Sequence, residues 1–225
     1  MRPLVVLRPE PGATATCKAA SEAGLRPVAV PLFEIEAVAW AAPDSAGFDG
    51  LLLTSANALR HAGPELEKLR GLPVYAVGEA TAALARSAGF VTSFVGGAGV
   101  DELLADIDPN LRLLHLCGEQ LREPAAPRQS ITHLPVYRAA QLAEPDVAPI
   151  AGAVVAVHSP RAGARLAELA AACGLDASAT VIAAISREAA RAAGGGWERT
   201  ATAEQPNDTA LLALAARLCN SSDRQ

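Results

Sequence analysis

Large aromatic side chains are scarce in this chain. Phenylalanine, tryptophan and tyrosine together make up 4% of its 225 residues, too few for a sandwich of ring-rich hairpins. The apolar half of the composition is chiefly alanine, leucine and valine, which suits helices packed on strands and an α/β class. At this length one large domain or two small ones can form, and either buries enough apolar surface to be stable without disulfides or metals. Long apolar runs are missing as well. No stretch approaches the roughly 18 residues that cross a bilayer, and the opening MRPLVVLRPEPG meets Pro9 and Glu10 too early for a secretion signal. No membrane contact and a cytoplasmic location are expected.

Clustered cysteine is absent too. Cys17, Cys117, Cys173 and Cys219 lie far apart, with no Cys-x-x-Cys pair, and His61, His115, His133 and His158 show no ligand spacing. Neither a zinc site nor a redox pair is therefore expected, and the cysteines read as small core residues in a reducing compartment. There is no basic excess: the net charge is −5, which argues against a nucleic-acid surface. Lysine is nearly missing, since only Lys18 and Lys68 of the nineteen basic residues are lysine. The arginines suit two-pronged carboxylate binding, although genomic base composition produces the same bias.

What is present is alternation. Apolar runs near 3–7, 28–38, 50–54, 73–77, 91–95, 112–116, 134–139, 152–157, 180–185 and 197–202 alternate with helical segments, the pattern of repeated βα units and a parallel sheet. Pro11 opens a first helix that turns Cys17, Ala20 and Ala23 inward and stops at Gly24. Asp101 is read as the cap of a helix carrying Leu103, Leu104 and Ile107. Ser159 and Pro160 start a helix with Leu166, Leu169 and Cys173, and Asn207 or Asp208 starts the last one. The glycines of GGAGVDEL, residues 96–103, lack dinucleotide-fingerprint spacing and read as a turn. The tail from Asn220 to Gln225 reads as frayed.

The chain also echoes itself. DGLLLTSANALRHAG, from Asp49 to Gly63, resembles GAVVAVHSPRAGARL, from Gly152 to Leu166, and VYAVGEATAALARSAG resembles VIAAISREAARAAGG. VVLRPEPG, a helix and GLRPVAVPLFEI likewise match LLHLCGEQ, a helix and HLPVYRAAQ. A tandem duplication follows, and duplicated βα halves commonly bind ligand where the carboxyl ends of their strands face each other, in a groove between two lobes.

Those ends carry the candidate residues. Thr54, Ser55 and Asn57 place hydroxyls, an amide and free backbone N–H groups at a helix start, a receptor for carboxylate or phosphate; the plain alternative is that Ser55 merely caps its helix. Gly78 admits close approach to the backbone, and Thr81 offers a hydroxyl; a tight turn is the plain alternative. Ser159 and Pro160 repeat Ser55 and Ala56, Ser186 takes the Gly78 place, and Ala189 replaces Thr81, so one lobe should bind more strongly. Arg8 follows the first strand. Tyr137 offers a neutral phenol, with a reference pKa of about 10, or else simply packs between lobes.

LRPEPG, LLLTSANAL, AVGEATAAL, PVYRA and VHSPRAGARL, in this order along nearly the whole chain, resemble the uroporphyrinogen-III synthase family. The resemblance implies two similar α/β lobes with parallel sheets flanked by helices: one of residues 1–35 plus 142–225, the other of 38–136, with extended linkers near 34–38 and 137–141. It implies a cofactor-independent enzyme of tetrapyrrole biosynthesis, using no metal, whose substrate partner is hydroxymethylbilane, a flexible chain bearing eight carboxylates. That substrate loses water and closes to uroporphyrinogen III through a spiro intermediate with its last ring inverted. Arg8, Thr54, Ser55, Asn57, Gly78, Thr81, Ser159, Pro160 and Ser186 would hold it, and Tyr137 would help hydroxide leave. A monomer is expected. Leu7 stands where the family commonly has threonine, and Ala189 departs from its Gly-x-x-Thr pattern. The alternative is a two-lobed binding or sensor protein for a small polyanion.

Overall fold

The computed structural model describes residues 1–97, 99–121 and 123–221. Among the described residues, eleven strands and seven α-helices follow the expected alternation. The strands are β1 (Leu4–Val6), β2 (Pro27–Ala29), β3 (Phe33–Ala37), β4 (Gly50–Leu53), β5 (Val74–Val77), β6 (Thr92–Gly96), β7 (Arg112–Gly118), β8 (Ser130–Gln141), β9 (Val154–Val157), β10 (Val181–Ala184) and β11 (Arg199–Thr202). The helices are α1 (Gly12–Glu22), α2 (Ala56–His61), α3 (Glu79–Ser87), α4 (Val100–Asp106), α5 (Pro160–Cys173), α6 (Arg187–Ala192) and α7 (Asp208–Asn220). None of the helices is long and apolar enough to cross a membrane.

The chain divides into two compact units. One combines residues 1–34 with 141–225, and the other is the continuous segment 35–140. The first carries a five-stranded sheet in the order β11-β10-β9-β1-β2, the second a six-stranded sheet in the order β3-β8-β7-β4-β5-β6. β1, β2 and β9–β11 pair in parallel, as do β4–β8. This is the mixed α/β architecture with parallel sheets and flanking helices that the alternation implies.

In the first unit, β1, β9 and β10 are buried along their whole length. One face, with Leu4, Val6, Val154, Ala156, Val181 and Ala183, packs under Leu211, Leu214, Ala215 and Leu218 of α7. α5 and α6 pack closely on each other because Gly163 brings the backbones together: a Cβ there would lie 2.6 Å from the Ala189 carbonyl oxygen. In the second unit, Leu51, Leu53, Val74, Ala76, Leu114, Leu116 and Val136 form one core with α2 and α3. Leu52 and Leu113 form another with Leu103 and Leu104 of α4. Alternate residues of each strand thus serve opposite faces.

Several expectations need correcting. The single run read at 28–38 is two strands in different sheets, with Pro31 between them, which has no N–H to continue a ladder. α1 buries Ala13, Thr16 and Ala20, while Ala23 lies outside it and is exposed. Gly99, not Asp101, caps α4. Asp101 instead accepts a hydrogen bond from the Ala125 N–H at 2.8 Å. No helix lies among the described residues between β7 and β8, where Pro124 and Pro127 would each remove a helical donor. The two βαβαβ runs, β4 to β6 and β9 to β11, do match, as do Gly78 and Ser186, the N-caps of α3 and α6. Of the 96–103 turn, Ala98 lies outside the described residues, as do 222–225 of the polar tail.

Candidate functional site

In each sheet the strand order reverses direction once. β4, β5 and β6 run outward one way while β7 and β8 run the other, so the reversal in the second unit falls between β4 and β7. The crevice outside the carboxyl ends of such strands is where open α/β sheets bind ligands. A hollow of about 460 Å³ opens at that place, lined by Thr54 and Ser55 after β4, Cys117 and Gly118 at the end of β7, Gln120, and Tyr137 of β8.

Tyr137 is half-buried against the α2–α3 core, beside the His61 ring at 6.3 Å between centroids. Its ring lies over Gly118, its neighbour across a register shift between β7 and β8. A Cβ on Gly118 would stand 2.9 Å from the ring edge and 3.2 Å from the phenol oxygen. Only glycine therefore seats the ring here without displacement. Burial raises the Tyr137 phenol above its ordinary value, a hydrogen bond with Ser55 pulls the other way, and Cys117 adds to the rise. The phenol is thus a neutral donor at ordinary pH. Ser55 also caps α2, accepting from the Asn57 N–H at 3.2 Å.

Thr54 Oγ1 lies 3.0 Å from His115 Nε2. His115 Nδ1 lies 3.0 Å from His133 Nδ1, because His115 and His133 are direct partners in the β7–β8 register. Cys117, two residues along β7, shares their face. Ligand atoms of the three all lie within 4.8 Å of one another. Burial, then the neighbouring His133, pushes the His115 pKa down to about 4. Spacing along the chain gives no metal pattern; strand pairing creates the cluster.

The first unit reverses between β1 and β9, and a polar cluster occupies their ends. Arg8 Nη1 donates to Asp208 Oδ2 at 3.0 Å and to Thr16 Oγ1 at 3.1 Å. Thr16 donates to the same carboxylate oxygen at 2.8 Å, and His158 Nε2 stands 3.1 Å from Asp208 Oδ1. His158, then Thr16 and Arg8, hold the Asp208 pKa down to about 2 against the opposing effect of burial. Arg8 is therefore engaged by a carboxylate of its own chain.

Within the second unit, Thr54, Ser55 and Tyr137 line the same hollow, and Asn57, Gly78 and Thr81 are not among its lining residues. Asn57 accepts from Arg60 through Oδ1. Gly78 caps α3 at φ 81°, a left-handed conformation that favours glycine, and nothing lies within 4 Å of a would-be Cβ there. Thr81, one turn into α3, is 5% exposed, as Ala189 at the matching place in α6 is buried. Ser159 accepts from the Ala162 N–H at 3.1 Å and Ser186 from the Ala189 N–H at 3.2 Å. Pro160 is the first residue of α5. Local sequence does not single out His115, Cys117, His133, Asp208 or Gly118 as site residues; the alternate spacing of His115 and Cys117 in an apolar strand is the one local signal.

A search of curated protein sequences finds no match. Among solved structures, uroporphyrinogen-III synthetase from Helicobacter pylori superposes with a TM-score of 0.61 at 18% identity, covering 97% of this chain and 100% of that one. Uroporphyrinogen III synthase from Thermus thermophilus, in a mutant form, gives a TM-score of 0.47 at 19% identity, covering 96% and 98%. The family model HEM4, uroporphyrinogen-III synthase HemD, matches residues 15–213. With that match running through both units, the chain belongs to the uroporphyrinogen-III synthase family, enzymes of tetrapyrrole biosynthesis.

Proposed function

We propose that this chain converts hydroxymethylbilane to uroporphyrinogen III, with loss of water, a spiro intermediate and inversion of the last ring. The family match over residues 15–213 carries this reading. The linear substrate also closes spontaneously to the uninverted isomer, so the enzyme's task is chiefly to hold one geometry against another. Hydroxyl and backbone donors at the strand ends suit a ligand with many carboxylates. Thr54, Ser55 and Ser159 are the side chains assigned to holding it, with Arg8 contributing as far as Asp208 leaves it donors.

Tyr137 is assigned the departure of hydroxide. Loss of water requires a proton on the leaving oxygen, and a phenol kept neutral by burial can donate a hydrogen bond to that oxygen as charge builds there. Gly118 holds the ring in place, and Ser55 orients the phenol. Recombinant protein mixed with freshly prepared hydroxymethylbilane, followed by oxidation and chromatography, tests the reading: isomer III in excess is expected. Formation of isomer I alone would leave the protein a binder of small polyanions.

A further inference from the structure

We propose that His115, Cys117 and His133 form a binding site for a soft late transition-metal ion, with zinc as its representative. The three side chains meet on one face of the β7–β8 pair. His115 and His133 are register partners, their Nδ1 atoms are 3.0 Å apart, and the thiol lies within 4.8 Å of both. A zinc ion bonds nitrogen at about 2.0–2.1 Å, so two imidazole ligands of a tetrahedral ion stand about 3.3 Å apart. Replacing the shared proton between the rings by an ion therefore needs only a few tenths of an ångström of separation. Cys117 needs a somewhat larger approach.

The surroundings favour an ion of this class. His115 is 1% exposed and Cys117 2% exposed, so a bound ion would be shielded, and imidazole with thiolate selects zinc or copper(I) over magnesium or calcium. Metal-binding histidines commonly donate their second ring N–H to a fixed oxygen. Thr54 Oγ1 stands 3.0 Å from His115 Nε2 and supplies that oxygen. Cys117 and Thr54 both line the hollow, which gives an entry path and room for a small fourth ligand. Binding shifts the proton between the two Nδ1 atoms to the Nε2 of the ring that carried it, so both imidazoles stay neutral, and releases the thiol proton to solvent, with no change of oxidation state. The inference does not depend on the synthase reading.

Titration of the full chain with Co²⁺ after chelator treatment tests the site. One ion per chain is expected, with a thiolate-to-cobalt absorption band and the visible bands of a four-coordinate ion, both erased by Zn²⁺. Cys117→Ser should lose the thiolate band while Cys17→Ser and Cys173→Ser keep it. His133→Gln should weaken binding, and Thr54→Val should weaken it roughly 10- to 100-fold. On the unaltered protein, Zn²⁺ should slow alkylation of Cys117 but not of Cys173, read by mass spectrometry. A thiolate band that survives Cys117→Ser, or an unchanged alkylation rate at Cys117 under saturating Zn²⁺, overturns the proposal.

Discussion

Tyr137 and Asp208 show how neighbours set what one side chain can do. Tyr137→Phe keeps the ring that packs over Gly118 and removes only the donor. Turnover should fall by up to roughly 10² to 10⁴-fold, the usual worth of general-acid help, with the thermal transition unchanged; stopped-flow assay beside circular dichroism checks both. Gly118→Ala should displace the same ring and lower turnover while the phenol remains. Asp208 depends on charge rather than space. Its folded-state pKa, about 2, lies below the unfolded value of about 3.9, so its contribution to stability is complete above about pH 4 and is lost as the pH falls through about 2. Urea titrations across that window should show a flatter acid limb for Asp208→Asn.

At the scale of elements, caps and close approaches fix the helices. Ser159 caps α5 through the Ala162 N–H, so Ser159→Ala should cost about 1 kcal/mol, measured by chemical denaturation. Gly163→Ala should cost more, about 1–3 kcal/mol from overpacking, because its new methyl meets the Ala189 carbonyl. The cap is legible from Ser159-Pro160 in the sequence. The crossing is not, since Gly163 reads as an ordinary helical glycine until α6 is laid against α5. The run at 28–38 reads as one strand for a related reason: extended propensity does not say which sheet a segment joins, and β2 and β3 join different ones.

For the molecule as a whole, the division into residues 1–34 with 141–225 and the continuous 35–140 carries a consequence for folding. Segment 35–140 has its own sheet and two cores, and expressed alone it should unfold cooperatively in urea. Residues 141–225 alone should not, because β1 and β2 both lie in residues 1–34 and their loss leaves the fully buried β9 as an unpaired edge. The order of amino acids was enough for the α/β class, the βα alternation, the cap at Ser159 and the family, because these rest on local periodicity and short motifs. It took the folded chain to establish that Tyr137 rests on Gly118, that Asp208 engages Arg8, and that His133 faces His115. Each pair is separated by many residues and meets through strand register or packing, which no local pattern encodes.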